Sequence, residues 1–135
     1  MSYALGSVLS GKNGHIAPSR YWMLTEEEIR GMVNGCGPGS WKIDLIPDKI
    51  GNIDFTESCN IHDICYIYGM DEEDKRLGDR IFLFNTQNDV DRYCDENGFF
   101  DRIERILYRE TAFNYYRAVS DFGGPFFNKS KRQGE

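Results

Sequence analysis

From Gly35 to Ser40 the chain packs three glycines and one proline into six residues, GCGPGS. No helix or strand runs through such a segment, so the fold divides there. Both sides of it are helical in pattern. Upstream, LTEEEIRGMV places Thr25 as N-cap and Glu28 three residues later, a capping box, and its acidic residues 26–28 suit the positive end of a helix dipole. This helix should stop near Asn34–Gly35. Downstream, Pro47 and Gly51 keep residues 41–56 mostly in loop. Thr56 or Ser58 can then cap a helix running to about Tyr68 and ended by Gly69. A further helix starts at the acidic run Asp71–Asp74, with Leu77, Ile81, Phe84 and Asn88 as its stripe and Phe82 and Leu83 widening it. After the Asn97–Gly98 turn comes a long amphipathic helix. In it Ile103, Ile106, Leu107, Phe113, Tyr116 and Val119 sit at helical spacings, and Gly123-Gly124-Pro125 ends it. Residues 1–19 read as an irregular arm packed through Tyr3, Leu5 and Val8, and residues 128–135 as a flexible tail. The expectation is one mainly α domain over residues 1–135, with almost no strand.

Composition narrows the classes of function. A chain of 135 residues holds one core. Its net charge of −6 and pI of about 4.9 argue against a nucleic-acid binder, since the only basic cluster is the terminal NKSKRQGE. No segment approaches the eighteen or so continuous apolar residues of a transmembrane anchor. The opening MSYALGSVLSGKNG has neither the charged start nor the apolar core of a secretory signal. The compartment therefore stays open: cytoplasmic if Met1 is the native start, secreted if the chain is a trimmed mature form.

The chemistry concentrates in ESCNIHDICYIYG, residues 57–69. Cys59, His62, Cys65 and Tyr66 lie at i, i+3, i+6 and i+7, broadly on one helix face. Three readings compete. A metal phosphohydrolase could ligate a metal through an adjacent His and Asp, but it needs more histidines, and the chain's other one is His15, read as a surface residue without a role. Cys36, Cys59, His62 and Cys65 could hold a structural zinc, though three of them would come from one helix and the paired short knuckles are missing. In the third reading Asp63 grips a hard cation such as Ca²⁺, with glycine-loop carbonyls as further oxygen ligands, and His62 faces the space beside it. Adjacent helical residues point about 100° apart, so the two side chains serve one site in different roles.

CNIHDICY resembles the C-x-x-H-D-x-C-Y active-site helix of the secreted phospholipase A2 superfamily. GCGPG is similar to the family's calcium loop, closest to the short Y-x-G-P-G form of parvoviral capsid phospholipases, and the order of loop before helix agrees. The resemblance covers about a third of the chain. It implies a compact fold of the bacterial or viral kind, with two long antiparallel helices carrying a His–Asp dyad. It implies Ca²⁺-dependent hydrolysis of the sn-2 ester of glycerophospholipids at a membrane or micelle surface, releasing fatty acid and lysophospholipid. His62 would be the general base that deprotonates water, with Tyr66 supporting its hydrogen-bond network. Asp63 and the carbonyls of Gly35, Gly37 and Gly39 would bind Ca²⁺, and the Gly37 N–H would help hold the oxyanion. A Cys36–Cys59 disulfide would tether loop to helix.

The base needs an orienting carboxylate, and two aspartates compete. Asp95 follows Cys94 as in the family's Cys-Asp pair. Asp79 heads DRIF, like the D-x-x-F of compact members. His62 lies about 10 Å before Gly69, so an antiparallel helix regains its level near residues 78–82, and Asp95 falls more than about 20 Å farther along. Asp79 is favoured, with Asp95 the alternative. The chain departs from the pattern at Ser58, in place of the first of twin cysteines, at Gly35, in place of the loop tyrosine, and at Gly78, in place of the cysteine before the aspartate. Cys65 thus lacks its expected partner, and either pairs with Cys94 or leaves both as buried thiols. Asp71–Asp74 could bind a second metal but read better as a solvated helix start. Trp22, Met23, Trp41, Phe99, Phe100, Phe126 and Phe127 could face lipid, though aromatics are more often core. Two other functions stay open: a non-catalytic binding or effector protein on the phospholipase scaffold, and a zinc-stabilised interaction domain.

Overall fold

The structure is a computed structural model and describes residues 5–33, 49–50, 52–97 and 102–133. The glycine loop, with Gly35, Cys36, Gly37 and Gly39, lies outside them, as do Tyr3, Trp41, Phe99 and Phe100. The described chain is a mainly helical small domain with long packed antiparallel helices.

The N-terminal arm is more regular than expected. It is a ribbon of β1 (Val8–Ser10) and β2 (Ile16–Pro18), antiparallel, with Leu9 opposite Ala17 and a 3₁₀ turn at Lys12–Gly14 between them. Leu5 is buried, but Val8 is not. The short α1 (Ser19–Trp22) follows, then α2 (Glu26–Met32), whose capping box forms as the sequence dictates: Thr25 Oγ1 accepts from the Glu28 N–H, and Glu28 reaches back to the Thr25 N–H. A second small ribbon, β3 (Lys49–Ile50) and β4 (Ile53–Asp54), leads into α3 (Thr56–Tyr68). Neither Thr56 nor Ser58 caps α3. Asp54 Oδ1 accepts the Thr56 N–H instead, and Ser58 lies inside the first turn with its hydroxyl turned to another helix.

Helix α4 (Glu72–Asn97) returns antiparallel to α3 and packs on both α3 and α5 (Arg102–Phe122). Its acidic start is used as a cap: Asp71 Oδ1 accepts the Asp74 N–H, and the buried Asp74 carboxylate accepts the Met70 N–H. Among the described residues no group of three or more His, Cys, Asp or Glu is placed to hold a metal ion. A last helix, α6 (Gly124–Gln133), folds back against α3. No helix among the described residues is long and apolar enough to cross a membrane.

The core has two parts. One joins Ile53, Phe55, Cys59, Phe82, Val90, Cys94 and Val119; the other joins Ala17, Tyr21, Ile61, Ile64, Cys65 and Ile81. Cys65 and Cys94 are both buried thiols and do not pair with each other. Cys65 sits beside Gly78, and Cys94 is sixteen residues farther along α4, about 24 Å of helix. A disulfide spans no more than about 7 Å between Cα atoms. The Cys36–Cys59 pairing involves a residue outside those described.

Two glycines set the close approaches that position the site. At Gly78 a Cβ would sit 2.9 Å from the Cys65 Cβ, so only glycine lets α4 lie this near α3. Gly69 ends α3 with φ −62°, not in the left-handed conformation of a glycine C-cap. Space explains it instead, since a Cβ there would meet the Cys65 carbonyl at 2.7 Å.

Candidate active site

Because α3 is covered on most sides, eight of its residues are buried, His62, Asp63 and Tyr66 among them. His62 is 0% exposed. Its ring lies 5.0 Å from the Phe82 ring and 4.3 Å from the Tyr66 ring. Nε2 is 2.8 Å from Asp79 Oδ1. A carboxylate only accepts, so Nε2 carries the proton and the basic lone pair of the neutral ring is on Nδ1. Tyr66 Oη donates to the same Asp79 oxygen at 2.8 Å.

The second Asp79 oxygen takes a hydrogen bond of 2.8 Å from Lys75 Nζ, which also donates to the Ser120 carbonyl at 3.1 Å. Lys75 is 3% exposed and Asp79 1%. Burial opposes the carboxylate charge, but the hydrogen bonds from His62, Lys75 and Tyr66 and the attraction of His62 outweigh it, and Asp79 is held below the usual carboxylate range. Tyr66 is pushed far up by burial and by Asp79, so it stays a phenol and a donor. The result is an imidazole oriented by an anion that two further donors fix in place.

Of the two competing aspartates, Asp79 is the one beside His62. Asp95 is exposed near the end of α4 and pairs with Arg105 at 2.5 Å. Asp63 is the next residue on α3, 8% exposed. Cys59 and Cys65 belong to the two different parts of the core, and Cys36, the fourth residue of the zinc reading, lies outside the described residues. Of the aromatic pair in α6, Phe126 is exposed, while Phe127 is buried and meets Tyr66 edge to face at 5.3 Å. Met23 is exposed.

Two contributors to the site carry little signal in the sequence. Lys75 stands four residues before Asp79, one helical turn, and that spacing was its only signal. Gly123 leaves room for the Tyr66 hydroxyl, which a Cβ there would overlap.

His15 is not a surface residue. It is 1% exposed, and its Nε2 lies 2.6 Å from Asp89 Oδ1 on α4. Ser58 Oγ donates to the other Asp89 oxygen at 2.5 Å. Asn85 bonds both the N–H and the carbonyl of Ile16, and Asn88 bonds the Asn13 carbonyl, so the N-terminal ribbon is laced to α4 through polar groups. Serine and histidine here share one carboxylate and do not touch each other in these bonds. This is an anchor rather than a nucleophile–base pair.

Compared with protein-family models, with characterised proteins and with solved structures, the chain matches none.

Proposed function

We propose that the chain is a phospholipase A2-like hydrolase, cleaving the sn-2 ester of glycerophospholipids in a Ca²⁺-dependent reaction at a membrane or micelle surface. The observation that carries this reading is the buried His62–Asp79 pair at 2.8 Å, with Tyr66 on the same carboxylate and Asp63 adjacent on the helix. His62 Nδ1 takes a proton from water as the water attacks the ester carbonyl. Asp79 stabilises the imidazolium that forms, and the proton then passes to the leaving alkoxide. Lys75 and Tyr66 hold Asp79 still while this happens.

Asp63 fits a hard cation, because it offers carboxylate oxygen in a largely water-free position beside the base. Asp63, with the carbonyls of Gly35, Gly37 and Gly39, would hold Ca²⁺, which when bound polarises the ester carbonyl and stabilises negative charge on it.

One observation favours a second reading. His62 is 0% exposed, which suits a non-catalytic binding protein that keeps the scaffold. Fatty-acid release from phospholipid vesicles separates the two. Wild type with Ca²⁺, wild type with a chelator, His62→Ala and Asp63→Asn are compared. Release that needs Ca²⁺, His62 and Asp63 supports the hydrolase. A folded protein that releases nothing from zwitterionic or anionic vesicles leaves the binding protein.

A further inference from the structure

A cavity of about 340 Å³ opens on the other side of α3 from the dyad. Glu57 and Asn60 line it, and on a helical wheel they sit about 140° and 160° around α3 from His62. Its other walls are the tip of the N-terminal ribbon, at Lys12 and Asn13, the end of α1 at Tyr21 and Trp22, and α2 at Glu26 and Arg30. The volume lies in the range of small-ligand sites, roughly 300–1,000 Å³.

The lining combines two chemistries. Tyr21 and Trp22 stand edge to face, ring centroids 5.1 Å apart at 79°, and form an aromatic corner. Both rings are fixed: Tyr21 Oη donates to Glu57 at 2.9 Å, and Trp22 Nε1 donates to the Leu9 carbonyl at 2.9 Å. Two carboxylates, Glu26 and Glu57, and two cations, Lys12 and Arg30, line the same space. Among the described residues none of these four forms an ion pair. Aromatic faces with carboxylates attract an organic ammonium group. Guanidinium with ammonium attracts an oxyanion. Asn13, the sole non-glycine residue at positive φ among those described (62°), is pinned by Asn88, so the wall carrying Lys12 is preorganised.

We infer that this cavity binds a small zwitterion, an organic ammonium joined to an oxyanion, of the phosphocholine class. The site is separate from the dyad and does not depend on the dyad being catalytic. The same chemistry is available from a soluble phosphoalkylammonium or from a lipid head group. Calorimetric titration of the full chain with phosphocholine, choline chloride and inorganic phosphate tests it. Phosphocholine is expected to bind saturably at one site, with either half alone at least about tenfold weaker. Arg30→Gln and Glu57→Gln should each weaken phosphocholine about tenfold at unchanged melting temperature, while His62→Ala binds as wild type does. Arg30 is exposed, so its variant keeps the test valid if Glu57→Gln disturbs the Tyr21 bond. Sedimentation with phosphatidylcholine vesicles, competed by free phosphocholine, assigns the lipid source; binding of the free molecule alone assigns the soluble one. No saturable binding of either, or equal affinity in wild type and folded Arg30→Gln, overturns the inference.

Discussion

Lys75 does the work that sets the state of Asp79. A lysine on the first turn of an acidic helix would normally be solvated, yet here its ammonium is spent on one buried carboxylate oxygen and one carbonyl. Replacing it by Met keeps the aliphatic stem and leaves Asp79 short of a charged partner. Urea unfolding at neutral pH should show a loss of about 3 kcal/mol, and Asp79→Asn in the same background should recover part of it. Because the folded carboxyl of Asp79 is depressed, its contribution is fully present above the unfolded value of about 3.9. It is lost as pH falls through the lower folded value. The urea midpoint of wild type should therefore drop more steeply below about pH 4 than that of Asp79→Asn. At this scale the sequence was legible where residue type and spacing meet: His62, Tyr66 and Asp79 follow from one motif and a helical rise. Lys75 was not, because nothing in a charged residue on a helix says that it points inward.

Among the elements, the helices were legible and their faces were less so. The start of α2 follows from its capping box and the end of α5 from Gly123, whereas α3 runs over the expected residues without the expected caps. The stripe expected of α4 places Phe84 and Asn88 with Leu77 and Ile81, but Phe84 is half-exposed. The buried face runs through Lys75, Gly78, Asp79, Phe82, Asn85, Thr86 and Asp89, and hydrophobic periodicity cannot see a face made largely of satisfied polar groups. In α5 the error has the opposite sign. Ile103, Ile106, Leu107 and Phe113 are exposed, while Ala112 and Val119 are buried and Tyr108 and Tyr115 pack against the core. The break between α5 and α6 offers a paired test. Gly123→Ala should displace the Tyr66 hydroxyl from Asp79 and cost about 1–3 kcal/mol. Gly124→Ala, with nothing within 4 Å of its Cβ, should be neutral or slightly stabilising. Thermal melts of the two variants decide it. The contact of Gly78 with Cys65 gives another. Gly78→Ala would place a Cβ 2.9 Å from the Cys65 Cβ, so it should push α4 off α3 and cost about 1–3 kcal/mol in the same melts. An unchanged melting temperature would refute the close approach of α3 and α4.

For the molecule as a whole, α4 is the spine. Near its start Asp79 holds α3 through His62; farther along, Asp89 holds α3 through Ser58 and the N-terminal ribbon through His15. The sequence did not announce the second joint, since a lone histidine in a glycine-rich arm carries no periodicity that would turn it inward. Both histidines of the chain are consequently sealed from solvent. That makes imidazole acylation a clock for opening. A water-soluble acylating reagent can modify neither ring until something moves. His15 reacts when the ribbon lifts from α4, and His62 only when α3 and α4 separate. Mass spectrometry of the native protein over time should find His15 modified first, at a rate set by opening rather than by reagent concentration once the reagent is in excess. Rapid labelling of His62 alone would mean that water already reaches the dyad, by a route along which an ester could follow.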